Sequence, residues 1–203
     1  MFKSILLAAP MVLALSFPVK AATFVLDFTG SGGVPDTYGD NGFADISYRA
    51  ITHGAWGDVA TTGGLSFWTT GYGDLDGAIW GNPDPSHAEI RIQALDPLAL
   101  VTLNSFDMGG WIADEAAEWR LFDLAWNPLG TGTGIAPDTM RLSFAPGLSA
   151  AGGLIFQWGL DAWDVGVENF SYSVSSAAVP LPPAGALLLG GLGLFAIRRR
   201  KSA

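Results

Sequence analysis

The 203-residue sequence contains no cysteine. The protein therefore has no disulfide, no thiolate metal ligand and no cysteine nucleophile, and its stability must come from a packed core or from bound metal. Histidine is almost as scarce, since only His53 and His87 are present. Neither histidine lies in a nucleophile-elbow or zinc-site motif, so neither is indicated as the base of a Ser-His-acid triad or as a zinc ligand. These absences favour a protein that is not an enzyme.

Positive charge is also scarce between the two ends of the chain. Residues 23–178 contain no lysine and only four arginines, which are Arg49, Arg91, Arg120 and Arg141. All 19 acidic residues lie in the same stretch, so its formal charge is −15, against −9 for the whole chain. A surface this acidic repels nucleic acid and anionic lipid but attracts divalent cations. We therefore exclude nucleic acid as a partner.

The first 22 residues predict a secretory signal peptide. Lys3 supplies a positive charge, residues 5–17 are an apolar stretch, and the small residues Ala21 and Ala22 follow. This order is typical of a cleaved export signal, and the apolar stretch is short for a membrane span. We expect cleavage after Ala21 or Ala22.

Residues 179–203 combine a proline-rich motif, an apolar run and a terminal basic cluster. The run from Ala184 to Ile197 has 14 uncharged residues. As a helix it would cover about 21 Å of a hydrocarbon core about 30 Å thick, which suits a transient membrane anchor. Because Lys and Arg stay on the cytoplasmic side, everything before residue 179 is expected outside. The motif is Val179, Pro180, Leu181, Pro182, Pro183 and Ala184, and the basic cluster is Arg198, Arg199, Arg200 and Lys201.

The tail VPLPPAGALLLGGLGLFAIRRRKSA resembles the VPLPA-CTERM variant of the PEP-CTERM bacterial sorting signals. The resemblance implies that the chain is exported across the inner membrane of a Gram-negative bacterium and held there by its C-terminal helix. An exosortase-type membrane protease would then process it near the proline-rich motif and release it to the cell surface or outside. Pro183 is one proline more than the family pattern has, so the processing position stays open. A eukaryotic lipid-anchor signal, the alternative, would end without arginines.

Residues 23–178, between these signals, are expected to form one extracytoplasmic domain of strands. Nine segments rich in β-branched and aromatic residues alternate with period two and are separated by Gly, Pro and Asp. We predict a turn at residues 127–130 and a loop or single turn at 113–117. The fold class expected is all-β, an antiparallel β-sandwich of jelly-roll type, flanked by an N-terminal signal helix and a C-terminal hydrophobic helix. The predicted strands are 23–28, 46–49, 65–68, 88–93, 100–106, 118–123, 139–144, 154–158 and 165–174.

Two patterns suggest bound calcium. Residues 72–77 contain Asp74-x-Asp76-Gly, in which alternate carboxylates could converge on the ion, although a complete loop would have further ligands. Residues 101–111 and the closing segment 165–170 resemble those of galactose-binding-like sandwiches. That resemblance implies that Asp27 on the first strand and Glu168 on the last could share a structural Ca²⁺. The alternative for each is a solvated turn.

All eight tryptophans lie between the two signals. Indole rings in loops could stack against the C–H faces of sugars, while indoles in alternating strands belong to the core. The loop candidates are Trp56, Trp80, Trp111 and Trp163. The expected core tryptophans are Trp68, Trp119 and Trp158, and Trp126 lies beside a turn.

Three functions remain open from the sequence. The favoured one is an exported surface or extracellular-matrix protein with a structural or interaction role, because its sorting signal is typical of exopolysaccharide-producing bacteria. The second is a carbohydrate-binding module that uses the loop tryptophans. The third is a glycan-active enzyme, for which a pair of carboxylates is required. The candidate carboxylates are Asp114, Glu115 and Glu118 in one group and Asp161 and Asp164 in another.

Overall fold

The computed structural model describes residues 21–175, which form fourteen β-strands. The first seven are β1 (Ala21–Leu26), β2 (Gly32–Gly33), β3 (Ala44–Ile51), β4 (Thr61–Gly63), β5 (Leu65–Trp68), β6 (Ala78–Gly81) and β7 (His87–Ala94). The last seven are β8 (Leu100–Gly110), β9 (Glu115–Asp123), β10 (Pro128–Ala136), β11 (Leu142–Phe144), β12 (Leu148–Ala151), β13 (Gly153–Gly159) and β14 (Val165–Ser175).

The strands form two antiparallel sheets. Sheet 1 has the order β11-β8-β14-β6-β5-β2, with β1 also paired to β14 and β12 to β8. Sheet 2 has the order β10-β9-β13-β7-β3-β4. The order crosses between sequence-distant strands, as in a jelly roll, so the expected antiparallel β-sandwich is confirmed.

The core lies between the inner faces of the two sheets. Successive side chains of a strand point to opposite faces, so one face of each sheet lines the core. In β14 the buried set includes Val165, Val167, Phe170 and Tyr172. Trp158 of β13 is fully buried, and its indole N–H donates to the carbonyl oxygen of Val165 at 2.9 Å. The aromatic and aliphatic side chains of both sheets thus form one continuous hydrophobic cluster.

All nine predicted strands correspond to observed ones, but five strands were not predicted. The largest is β10, whose sequence alternates Gly and Thr and carries little hydrophobic signal. The predicted turn at 127–130 is wrong in part, because β10 already begins at Pro128. The predicted loop at 113–117 is likewise too long, since β9 begins at Glu115 and pairs with β10 from that residue.

The two ends of the chain lie outside the described residues. This applies to the sorting signal at 179–203 and to the signal peptide, apart from Ala21 and Ala22, which open β1. Within residues 21–175 there is no helix of the length and hydrophobicity that a membrane crossing requires.

Candidate ligand-binding surface

Strands β5 and β6 place two tryptophans on the outer face of sheet 1. Leu65 and Phe67 of β5 point into the core, so Trp68 points outward, and its side chain is 41% exposed. The prediction that Trp68 belongs to the core is therefore wrong, whereas Trp119 and Trp158 are buried as expected. In β6 the core residue is Ile79, and the neighbouring Trp80 points outward and is partly exposed.

Trp111 and Trp163 join these two residues from the chain segments next to β8 and β14. The ring centroids are 4.3 Å apart for Trp80 and Trp163, 6.4 Å for Trp68 and Trp80, and 5.3 Å for Trp68 and Trp111. The three interplanar angles are 75°, 81° and 86°, so each pair meets edge to face. Tyr72 continues the series, with its ring 5.1 Å from that of Trp111. We call these four tryptophans together with Tyr72 the tryptophan cluster.

The loop from Thr69 to Gly77 holds the cluster against sheet 1. It crosses the sheet over Gly109 and Gly166, which are register partners on β8 and β14. A Cβ atom at Gly109 would lie 2.5 Å from the carbonyl oxygen of Tyr72, and one at Gly166 would lie 2.8 Å from the Tyr72 ring. Only glycine leaves room for this approach. The hydroxyl of Tyr72 also donates to the carbonyl oxygen of Trp163, which ties the loop to the start of β14.

Four carboxylates surround this end of sheet 1. The carboxylate of Asp161 accepts a hydrogen bond from the backbone N–H of Trp163 at 2.9 Å. The backbone carbonyl oxygen of Asp164 accepts a hydrogen bond from the backbone N–H of Trp111 at 2.8 Å. Partial burial and the charges of Asp161 and Asp84 raise the pKa of Asp164. Partial burial and the charges of Asp164 and Asp161 raise the pKa of Glu115 in the same way. Among residues 21–175, none of these four carboxylates forms an ion pair.

Trp56, the remaining loop candidate, lies on the other sheet. Its ring centroid is 4.3 Å from that of His87, and the guanidinium carbon of Arg120 lies 4.6 Å from it. The loop from Thr52 to Ala60 carries Trp56 across the outer face of sheet 2. The structure thus brings together three of the four predicted tryptophans and separates the fourth.

A buried polar network fixes the 52–60 loop to sheet 2. Arg49 on β3 donates twice to Glu89 on β7, with both nitrogen–oxygen distances 2.8 Å, and Glu89 is only 2% exposed. Gln157 on β13 donates to Glu89 at 2.7 Å. The same amide exchanges two hydrogen bonds of 2.8 Å with the backbone of Gly57. The middle of this face is therefore filled by the protein's own chain.

His87 makes this attachment sensitive to pH. Its Nδ1 donates to the carbonyl oxygen of Ala55 at 3.0 Å, and its Nε2 accepts the N–H of Gly54 at 3.3 Å. Only the neutral ring can do both. Burial, the largest effect, and the nearby His53 lower the pKa of His87 below 6.5, although the hydrogen bond to Ala55 and the charge of Asp161 act in the opposite direction.

We expect the free energy of unfolding to decrease as the pH falls below about 6.5. The unfolded chain takes up the His87 proton more readily than the folded chain, so the contribution is complete above that pH and is lost towards the lower folded pKa. Urea unfolding at pH 7.5 and 5.5 measures the effect. A variant with His87→Gln should lose most of this pH dependence, whereas His53→Gln, at an exposed position, should keep it. If the free energy of unfolding changed equally with pH in both variants, His87 would not be the source of the pH dependence.

Three of the four arginines of the domain lie on this outer face of sheet 2. The guanidinium of Arg91 lies 5.4 Å from the ring centroid of Trp126, and Arg120 pairs with Glu118 at 2.7 Å. An open groove of about 490 Å³ runs along β9 and β10 beside Arg120. These three arginines are thus separated from the tryptophan cluster on the outer face of sheet 1, whereas Arg141 pairs with Asp74 in the 69–77 loop.

The carboxylates of three of the four predicted calcium ligands have partners among the described residues. Glu168 is 3% exposed and accepts the N–H groups of Asp76 and Gly77 at 3.2 and 2.7 Å, and its burial raises its pKa. Asp27 accepts the hydroxyl of Tyr38 at 2.9 Å, and Asp74 pairs with an arginine at 3.0 Å. Within residues 21–175, no group of three or more His, Asp or Glu side chains is arranged to hold a metal. The backbone of Asp76 contacts Glu168, and the backbone of Asp27 lies beside Gly77, where an added Cβ would be 3.4 Å from the Asp27 carbonyl oxygen. Calcium binding stays a prediction.

Similarities to known proteins are confined to distant solved structures. No family model and no curated protein sequence matches the chain. One similar structure is the cleaved adhesin domain of Lys-gingipain from Porphyromonas gingivalis, with 11% identity, 77% of this chain and 99% of that chain covered, and a TM-score of 0.43. Another is CBM27-1 from Caldicellulosiruptor saccharolyticus in complex with mannohexaose, with 12% identity, coverages of 74% and 96%, and a TM-score of 0.37. A third is TmCBM61 in complex with β-1,4-galactotriose, with 9% identity, coverages of 64% and 83%, and a TM-score of 0.32.

Proposed function

We propose that the protein is a non-catalytic, carbohydrate-binding protein of the bacterial surface, and that the tryptophan cluster is its binding surface. The observation that carries the proposal is the assembly of four tryptophans on the outer face of one sheet. Burying large aromatic rings in the core would stabilise the fold, yet Trp68 is 41% exposed and the other three are partly exposed. Aromatic rings left at a surface in this number mark a binding site.

The chemistry of the cluster suits a sugar. Pyranose rings present C–H faces that pack on indole rings, while their hydroxyl groups need polar partners at the edge. Carboxylate oxygens of Asp161, Asp164 and Glu115 lie beside the cluster and can accept hydrogen bonds from such hydroxyls.

We expect Trp68→Ala to weaken glycan binding about tenfold, because it removes one aromatic–sugar contact of about 1.4 kcal/mol. Trp68 is the most exposed member of the cluster, so the change should leave the fold intact. The matched control is Trp126→Ala, another partly exposed tryptophan, on sheet 2. Titration of the full-length chain with a panel of polysaccharides, followed by tryptophan fluorescence, measures both variants.

Each result of this titration bears on the proposal. Binding that weakens with Trp68→Ala and not with Trp126→Ala supports it. Equal losses in the two variants, or no binding to any polysaccharide of the panel, would contradict it. Release of shortened sugars, abolished by Glu115→Gln or Asp164→Asn, would instead favour the glycan-active enzyme.

We further propose that residues 179–203 sort the protein, as their resemblance to VPLPA-CTERM signals implies. The proposal includes export by the N-terminal signal, a transient hold in the inner membrane, and processing by an exosortase-type protease. Exopolysaccharide outside the cell would then be the glycan within reach. The mass of the mature protein recovered from producing cells tests this. A mass that still includes Arg198 to Lys201 in the surface fraction would contradict it.

A further inference from the structure

We infer that the glycan bound at the tryptophan cluster is cationic, with free ammonium groups such as those of a glucosamine polymer. This inference rests on the proposed function and adds the chemical class of the ligand. It follows from the shape of the aromatic surface together with the distribution of charge around it.

The shape of the cluster differs from that of a flat stacking platform. Its three tryptophan pairs meet at 75°, 81° and 86°, so the rings form walls that face different directions. A flat sugar face can cover only one such ring at a time. An ammonium group needs only one accessible ring face, to which the negative electrostatic potential of the ring face attracts it. Rings at these angles therefore suit a compact cation, which needs a single ring face, better than an extended stack of flat neutral rings.

The charge around the cluster has one sign. Partial burial, and after it the charges of neighbouring carboxylates among Asp84, Asp161 and Asp164, raise the pKa of Asp164 and of Glu115, so repulsion within this acidic group adds to the cost of burial. None of them has a cationic partner among the described residues. A bound ammonium group would relieve this repulsion, whereas a uronic acid or a sulfated sugar would increase it.

The arginines of the domain do not offset this charge. Arg49, Arg91 and Arg120 lie on the outer face of sheet 2, where they contact Glu89, Trp126 and Trp56. Arg141 is on sheet 1, but it already pairs with Asp74 and Asp107 at 3.0 and 3.5 Å. With a formal charge of −15 between the two signals, the protein also attracts a polycation from a distance. Charge complementarity thus selects a cationic polymer as the occupant.

The direct test compares three oligomers with the same β-1,4-linked backbone and chain length. They carry an ammonium group, a hydroxyl group or an N-acetyl group at C2, as in glucosamine, cellulose and chitin oligomers. Titration of the full-length chain should show the glucosamine oligomer binding about tenfold more tightly than the other two, and the difference should shrink as salt is added. Equal affinities for all three would overturn the inference.

Paired variants separate local recognition from general attraction to an acidic protein. Asp164→Asn with Glu115→Gln neutralises two carboxylates beside the cluster, and neither side chain forms a hydrogen bond among the described residues. Asp36→Asn with Asp45→Asn removes the same charge at two exposed positions away from the cluster. We expect the first pair to weaken glucosamine binding about tenfold and the second pair to change it less than about twofold.

The outcomes distinguish this inference from the function on which it rests. Equal effects of the two pairs would mean unspecific attraction and would overturn the inference. Tighter binding of the cellulose or chitin oligomer that is lost with Trp68→Ala would also overturn it, but would leave carbohydrate binding intact. Failure of every oligomer and every polysaccharide to bind would overturn both.

Discussion

Replacing Arg49 by methionine should lower the free energy of unfolding by about 3 kcal/mol, because it leaves the buried carboxylate of Glu89 without its cation. Glu89 is 2% exposed and receives two hydrogen bonds of 2.8 Å from this guanidinium. Gln157 would remain as its donor, and the nearest other cation is Arg91, whose Nε is 3.9 Å away. A buried charge that loses its partner costs more than the pair itself contributed.

Two further variants test whether the unpaired charge of Glu89 causes this loss of stability. Arg91→Met removes a guanidinium of similar exposure that makes only the longer contact to Glu89, and it should cost less than about 1 kcal/mol. Arg49→Met combined with Glu89→Gln removes the uncompensated charge, so the double variant should be more stable than Arg49→Met alone. Urea unfolding at pH 7.5 measures all three. A double variant less stable than the single one would show that the pair is not the source of the loss.

Gly109→Ala should destabilise the protein by about 2–3 kcal/mol and weaken glycan binding about thirtyfold without changing any aromatic residue. Its Cβ would lie 2.5 Å from the carbonyl oxygen of Tyr72 and 3.0 Å from the backbone nitrogen of Gly73. Backbone atoms cannot rotate away as side chains can, so the 69–77 loop must move off sheet 1. Tyr72 and Trp111, which this loop holds in contact, would move with it.

The matched control is Gly42→Ala, at a position where an added Cβ meets nothing within 4 Å. It should leave stability and binding unchanged, because it introduces the same methyl group into open space. Chemical unfolding and titration with the best-binding polysaccharide measure both variants. Retained affinity in Gly109→Ala would show that the loop does not position the binding surface.

The sandwich could be predicted because its core strands alternate strongly. Segments such as residues 165–174 carry a hydrophobic residue at nearly every second position, and the buried face of β14 follows that pattern. β10 escaped prediction because Gly130, Gly132 and Gly134 occupy its inward positions. Added Cβ atoms there would contact Leu148, Trp119 and Leu142 respectively. Large side chains of neighbouring strands fill this part of the core, so the strand itself carries no hydrophobic alternation.

The tryptophan cluster was predictable only in part. Loop context correctly placed Trp111 and Trp163, whereas the loop assignment of Trp80 was wrong, because Trp80 lies in strand β6. All three are partly exposed, but the sequence gave no reason to join them and leave Trp56 apart. Their meeting depends on strand order, since β5, β6, β8 and β14 come together only in the folded sheet. The alternation of side chains along β5 could have shown that Trp68 is exposed, because Leu65 and Phe67 point to the opposite, buried face.

The most direct test of the tryptophan cluster as binding surface is the two-dimensional ¹H–¹⁵N spectrum of the eight indole N–H groups of the full-length chain. Each tryptophan gives one indole signal, and single Trp→Phe variants assign them. On addition of the best-binding glycan, the signals of Trp68, Trp80, Trp111 and Trp163 should shift. The signals of Trp56, Trp119, Trp126 and Trp158 should stay in place. Shifts confined to the second group would contradict the account and place the ligand on sheet 2 or in the core.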